Sequence, residues 1–153
     1  MRTRRPLAMA LVALSGIAIG AGGLLPWVVA RGSRPRSGIM HTSIAGLFRW
    51  EYENATFIRS FGAVMVLCGV LVLIGGLVAS RVLAVLFSLV ALATAGLWIG
   101  LNASHFNPTD MPYSDLRIGA WLSIGGGIVG LVSAFFLRRR SYVSRASETY
   151  ATG

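Results

Sequence analysis

The stretch Phe61–Leu101 constrains this chain most. It is almost wholly apolar and holds one charge, Arg81. A single helix over it would run roughly 60 Å at ~1.5 Å per residue, about twice the ~30 Å hydrocarbon core of a bilayer. The stretch therefore has to cross twice, and Ser80-Arg81 is the place to turn. A helical hairpin of this kind predicts an integral membrane protein.

Composition agrees. Of 153 residues, 55% are hydrophobic and 12% are charged. A soluble domain carries about 25% charged residues, so too little polar surface is present to cover a globule. The net charge is +9, and every basic residue is Arg. Those arginines sit at the ends of apolar runs and not in a patch on a folded face, which argues against nucleic acid as a partner. The lack of Lys fits GC-rich codon usage, as in actinobacteria. Cys68 is the one cysteine and lies inside an apolar run, so neither an intrachain disulfide nor a Cys-based metal site can form.

Four spans are expected, at about 7–30, 61–79, 82–101 and 118–137. The first follows the basic start Met1–Pro6. It resembles a signal peptide, but its apolar run is longer than the ~7–15 residues of a signal core, which favours a retained span. Pro26 lies near its far end, where a helix break is tolerated. Residues 31–60 and 102–117 read as polar loops. In the first, Thr42 or Ser43 is placed to cap a short surface helix, and 49–60, with Glu51 and Glu53, reads as the polar start of the second span. The tail 138–153 lacks apolar periodicity and reads as disordered. The expected fold is thus an all-α, four-transmembrane-helix bundle, one membrane domain over 1–137.

Arginine placement orients it. The side of the termini holds Arg2, Arg4, Arg5, Arg81, Arg138, Arg139, Arg140 and Arg145, eight in all, against six on the other side. The first group lies in short segments beside span ends, where the positive-inside rule has most force. Both termini are therefore expected in the cytoplasm. Trp27, Trp50, Trp98 and Trp121 all map to the opposite side and read as anchors at the membrane interface.

Helices in lipid associate through close packing, so small residues four apart matter. Gly16/Gly20, Gly96/Gly100, Gly119/Ser123/Gly127 and Gly126/Gly130 are the candidate packing faces. With two such faces, the fourth span is expected to serve the bundle with one. The other is open either to packing within the bundle, the common use of such pairs, or to another membrane protein or a second copy. Ser88, Thr94 and Ser123 are read as bonding to helix backbone.

No span holds Asp, Glu, Lys, Arg or His in its interior, which argues against ion-coupled transport. The loop residues His41, His105 and Asp110 are weak metal-ligand candidates without HxxxH or HExxH spacing. There is no GxSxG and no phosphate-binding GxxxxGK[ST], so neither a catalytic site nor a cofactor is expected.

Leu25-Pro26-Trp27-Val28, Thr42-Ser43-Ile44-Ala45-Gly46-Leu47 and Gly119-Ala120-Trp121-Leu122 carry a resemblance. The chain resembles small four-span actinobacterial membrane proteins of unknown function. It is also similar to the tryptophan-associated membrane protein family, which has Pro-Trp after its first span. The resemblance implies a bacterial inner membrane and a non-enzymatic role, and it transfers no catalytic residue. The reading is an accessory or structural component of a cell-envelope or membrane complex. A carrier for lipid or apolar solute is the alternative, and a loop metal site at His41 and His105 is a further one.

Overall fold

A computed structural model describes residues 4–27, 43–44, 56–105 and 116–137, with backbone alone at 4–5 and 101–105. Among these residues four α-helices form: α1 (Arg4–Leu24), α2 (Phe61–Leu77), α3 (Arg81–His105) and α4 (Ile118–Phe135). A 3-10 turn, Phe57–Arg59, precedes α2. Helices α1, α3 and α4 are long and apolar enough to cross a membrane, while α2 is apolar but shorter, at 17 residues.

Local chemistry sets the helix ends. The first helix stops at Leu24, short of the expected Ala30, because Pro26 disfavours helical backbone at Leu25. The reversal between α2 and α3 falls at Val78-Ala79-Ser80, one step before the expected Ser80-Arg81. There the Ser80 N–H donates to Gly75 O at 2.8 Å and the Ala79 N–H to Gly76 O at 3.2 Å. These two bonds satisfy carbonyls at the end of α2 in the manner of a Schellman motif. The residue in the left-handed conformation is Ala79, at φ 54°, where glycine would be at ease. Ser80 Oγ then accepts from the Leu83 N–H at 3.5 Å, which caps the start of α3. Arg81 is therefore the first helical residue and not part of the turn.

The start of α2 also differs from expectation. Residues 57–59 form the 3-10 turn and Ser60 is extended, so the helix begins at Phe61 with no acid in its first turn. Ser60 Oγ accepts from the Ala63 N–H at 3.4 Å and donates to Phe57 O at 2.6 Å, a local cap that needs no acidic side chain. Ser43 pairs antiparallel with Ser60, and the Ile44 N–H donates to Arg59 O at 3.1 Å. At the far end of α3 the helical backbone runs on through Asn102–His105, which the sequence assigns to a loop. Glu51, Glu53 and the tail 138–153 lie outside the described residues.

Each helix packs on two neighbours: α1 and α3 both pack on α2 and on α4. Gly16 faces Gly69 while Gly76 faces Met9 and Ala13, so α1 and α2 are antiparallel. Gly126 faces Ser15 and Gly119 faces Leu25, so α1 and α4 are antiparallel too. The result is an up-down-up-down square. The start of α1, the α2–α3 turn and the end of α4 share one end of it, called the inner end below.

Buried positions recur with steps of four and three: Ala8, Val12, Ser15, Ile19 and Gly22 on α1, and Ala84, Ser88, Ala91, Ala95 and Trp98 on α3. That repeat keeps one seam turned to its partners in a left-handed bundle. The inward residues are mostly small. The large apolar ones point out: Leu7, Leu14, Leu67, Leu77, Val82 and Phe135 are all more than half exposed. In water this would forgo ~25 cal/mol for each Å² of apolar surface left unburied. Lipid tails solvate such a surface without that loss.

Candidate functional site

The small residues bring helices to backbone contact. A methyl group added to Gly16 would lie 2.6 Å from Gly69 O, and one added to Gly69 would lie 2.6 Å from Gly16 O. Gly20 lies beside the same point, with Gly69 Cα 3.9 Å from where its methyl would be. On α4, a methyl on Gly119 would meet Leu25 O at 2.8 Å, and one on Gly126 would meet Ser15 O at 3.0 Å. Gly127 receives Leu92 of α3, whose Cγ would stand 2.8 Å from an added methyl. Gly119, Ser123, Gly126, Gly127 and Gly130 are all buried. Both small faces of α4 are therefore used inside the bundle: Gly119, Ser123 and Gly126 lie against α1, Gly127 against α3, and Gly130 against both. Of the two uses that the spacing leaves open for the second face, packing within the bundle is the one found among the described residues.

The outward pair is on α3 instead. Gly96 and Gly100 are exposed, and among the described residues a methyl on either would find nothing within 4 Å. The sequence lists them with the packing faces because a four-residue spacing does not say which way it points. Gly22 and Gly23, which the sequence reading passes over, are tightly packed: Gly22 receives Ser123, and Gly23 receives Met65. The signal for Gly22 is its phase, seven residues after Ser15 on the same seam.

Polar groups inside the bundle are hydroxyls. Thr94 Oγ1 donates to Val90 O at 2.8 Å and Ser15 Oγ to Val12 O at 2.7 Å, the backbone bonding expected of such residues. Ser88 and Ser123 depart from that expectation: both hydroxyls are buried without a hydrogen-bond partner among the described residues. Ser88 Oγ and Ser15 Oγ converge on the bare face of Gly130, at 2.6 and 2.7 Å from where a methyl would be. Small volume, more than hydrogen bonding, selects serine at these positions.

The opposite, outer end is closed by two tryptophans. Trp27 and Trp98 are each 0% exposed, with ring centroids 5.0 Å apart at 72°. The Trp27 Nε1–H donates to Gly22 O at 2.7 Å, which satisfies the indole on burial. The Arg117 N–H donates to Trp27 O at 2.9 Å and ties this plug to the start of α4. The two rings are thus fillers of the bundle end and not the perimeter anchors that the sequence suggests. Bare backbone at Gly119 gives room for the Trp27 ring, and the Gly22 carbonyl takes its N–H. Trp121 is 60% exposed, on the perimeter at the same end, and Trp50 lies outside the described residues.

At the inner end the Arg81 guanidinium sits 5.0 Å from the centroid of the Phe135 ring, a cation–π contact that joins the start of α3 to the end of α4. Arg2 and Arg138–Arg140 lie outside the described residues, and Arg4 and Arg5 are described in backbone only. Of the metal-ligand candidates, His41 and Asp110 lie outside the described residues and His105 is described in backbone only. Among the described residues no three His, Cys, Asp or Glu come together.

Fold and site define a class: a helical bundle of membrane type, small inside and large-apolar outside, with its outer end plugged by tryptophan. Comparison with family models, curated proteins and solved structures finds no match for this chain.

Proposed function

We propose that this chain is a four-span protein of a bacterial cytoplasmic membrane. Its termini and Arg81 face the cytoplasm, and it acts without enzymatic chemistry as an accessory or structural component of a larger membrane or cell-envelope complex. The observation that carries this reading is the backbone contact of α1 with α2 at Gly16/Gly69 and with α4 at Gly119 and Gly126. Helices held this closely leave little room for a solute path between them, so contacts made by the outer surface remain the natural means of action. The orientation rests on the arginine placement in the sequence, with Arg81 at the same end of the bundle as the start of α1.

The test is crosslinking in native membranes followed by purification in mild detergent. One heavier species of fixed stoichiometry is expected. Recovery of monomer alone, with and without crosslinker, refutes the reading.

A second reading, a carrier or binding protein for lipid or apolar solute, draws on Gly96 and Gly100, which leave open space on the lipid side of α3. Copurified lipid that is lost on Gly96→Leu would favour it over the first.

A further inference from the structure

The turn before α2 presents an unusual surface. Ile58 is 84% exposed and Phe57 is 38% exposed, with exposed Arg59 directly after them. The turn is held in place from within. Its last residue accepts a backbone hydrogen bond from Ile44 at 3.1 Å, and Ser60, which follows, is 0% exposed. Two apolar side chains are therefore held outward on a fixed piece of backbone.

The length of α2 gives that surface a meaning. Its 17 residues span roughly 25 Å at ~1.5 Å per residue, short of the ~30 Å hydrocarbon core. The three residues of the turn add up to ~6 Å at ~2.0 Å per residue, which closes the gap. The exposed apolar residues of α2, Leu67, Val70, Ile74 and Leu77, are then preceded at its outer end by exposed Phe57 and Ile58. An arginine beside such a pair lays its stem on apolar surface and puts its charge at the phosphates. On α4, exposed Ile118 and Trp121 occupy the same outer end.

We propose that Phe57, Ile58 and Arg59 form a lipid-binding surface: Phe57 and Ile58 enter the outer edge of the hydrocarbon and the Arg59 guanidinium meets the headgroup phosphates. This rests on the four-span reading. The occupant is the bilayer itself, because the apolar pair, the adjacent cation and the length deficit match the layers of a leaflet in order.

Depth-dependent quenching tests it. In a Cys68→Ala background, Ile58→Cys and Leu67→Cys are each labelled with bimane, and the protein is reconstituted in phosphatidylcholine vesicles brominated either near the headgroup or near the chain ends. Ile58 is expected to be quenched more strongly by the shallow bromine, and Leu67 by the deep bromine. If Leu67 is quenched as expected but Ile58 responds only to aqueous iodide, or more strongly to deep bromine, the proposal is overturned and the four-span reading stands. If Leu67 is not quenched by either lipid, the four-span reading itself fails. In a further arm, Arg59→Glu is expected to weaken shallow quenching at Ile58, and no change would overturn the role given to Arg59.

Discussion

Gly69→Ala puts a methyl group where α1 and α2 touch. It would stand 2.5 Å from Gly20 N, 2.6 Å from Gly16 O and 2.7 Å from Gly20 Cα. All three are backbone atoms, so no side chain can rotate away. Restoring ordinary contact takes a separation of roughly 1 Å, and a gap of that order forfeits up to about half of each dispersion well along the seam. Overpacking of this type costs about 1–3 kcal/mol. In lipid no hydrophobic gain offsets it, so the upper part of that range is expected, about 2–3 kcal/mol. At ~1.4 kcal/mol per factor of ten, the folded-to-unfolded ratio falls by roughly thirtyfold or more. Gly96→Ala is the matched control. Its methyl meets nothing within 4 Å, and alanine is the better helix former by up to ~1 kcal/mol, so the change should be neutral or stabilising. The assay is reversible unfolding in mixed micelles by SDS, followed by the fluorescence of the buried tryptophans. The reasoning is refuted if Gly69→Ala lies within ~0.5 kcal/mol of the parent, a change typical of a surface site. It is equally refuted if Gly96→Ala costs as much as Gly69→Ala.

The remaining predictions use the same assay except the last. Ala79→Gly should stabilise by about 1 kcal/mol, because it relieves a left-handed alanine at φ 54°; a loss would mean that the turn is held some other way. Trp27→Phe removes the hydrogen bond to Gly22 O and part of the edge-on contact with Trp98. It should cost about 1–3 kcal/mol, the usual penalty for an unmade buried bond, and should change the near-ultraviolet dichroism of the pair. Ser123→Ala should be close to neutral, since a buried hydroxyl without a partner contributes desolvation cost and no bond. A C-terminal green fluorescent protein fusion should fluoresce and an alkaline phosphatase fusion at the same point should be inactive, as a cytoplasmic terminus requires; the reverse pair of results refutes the orientation.

The sequence announces helices here more clearly than it announces what they pack against. The charge-poor runs and their single interruption at Arg81 locate the helices, because lipid rejects both charge and unpaired backbone. Their ends follow short-range chemistry that composition blurs. A proline two residues past Leu24 cuts the first run, and a serine cap at Ser60 starts the second helix where acidic residues upstream suggest an earlier start. The tryptophans mislead for a different reason. An indole near the end of a span suits the membrane interface, but it suits equally a recess beside a bare glycine, and only Gly119 against the Trp27 ring and the Gly22 carbonyl that takes its N–H decide between the two.

The direction of a small-residue pair is the step that spacing leaves open, and the seam supplies it. On α3 the inward series runs Ala84, Ser88, Ala91, Ala95, Trp98. Gly96 is one residue past Ala95, a rotation of about 100° on a helix with 3.6 residues per turn, and Gly100 lies further round. Both must therefore face away from the bundle once Trp98 is inward. On α4 the pairs Gly119/Ser123 and Gly126/Gly130 straddle the seam, so both point in. The inward placement of Trp98 thus fixes which glycines hold the bundle together and which are left to the lipid. A Trp98→Ala variant that retains the cost of Gly69→Ala but makes Gly96→Ala destabilising would show that α3 has rotated about its axis, and would break that link between the plug and the seam.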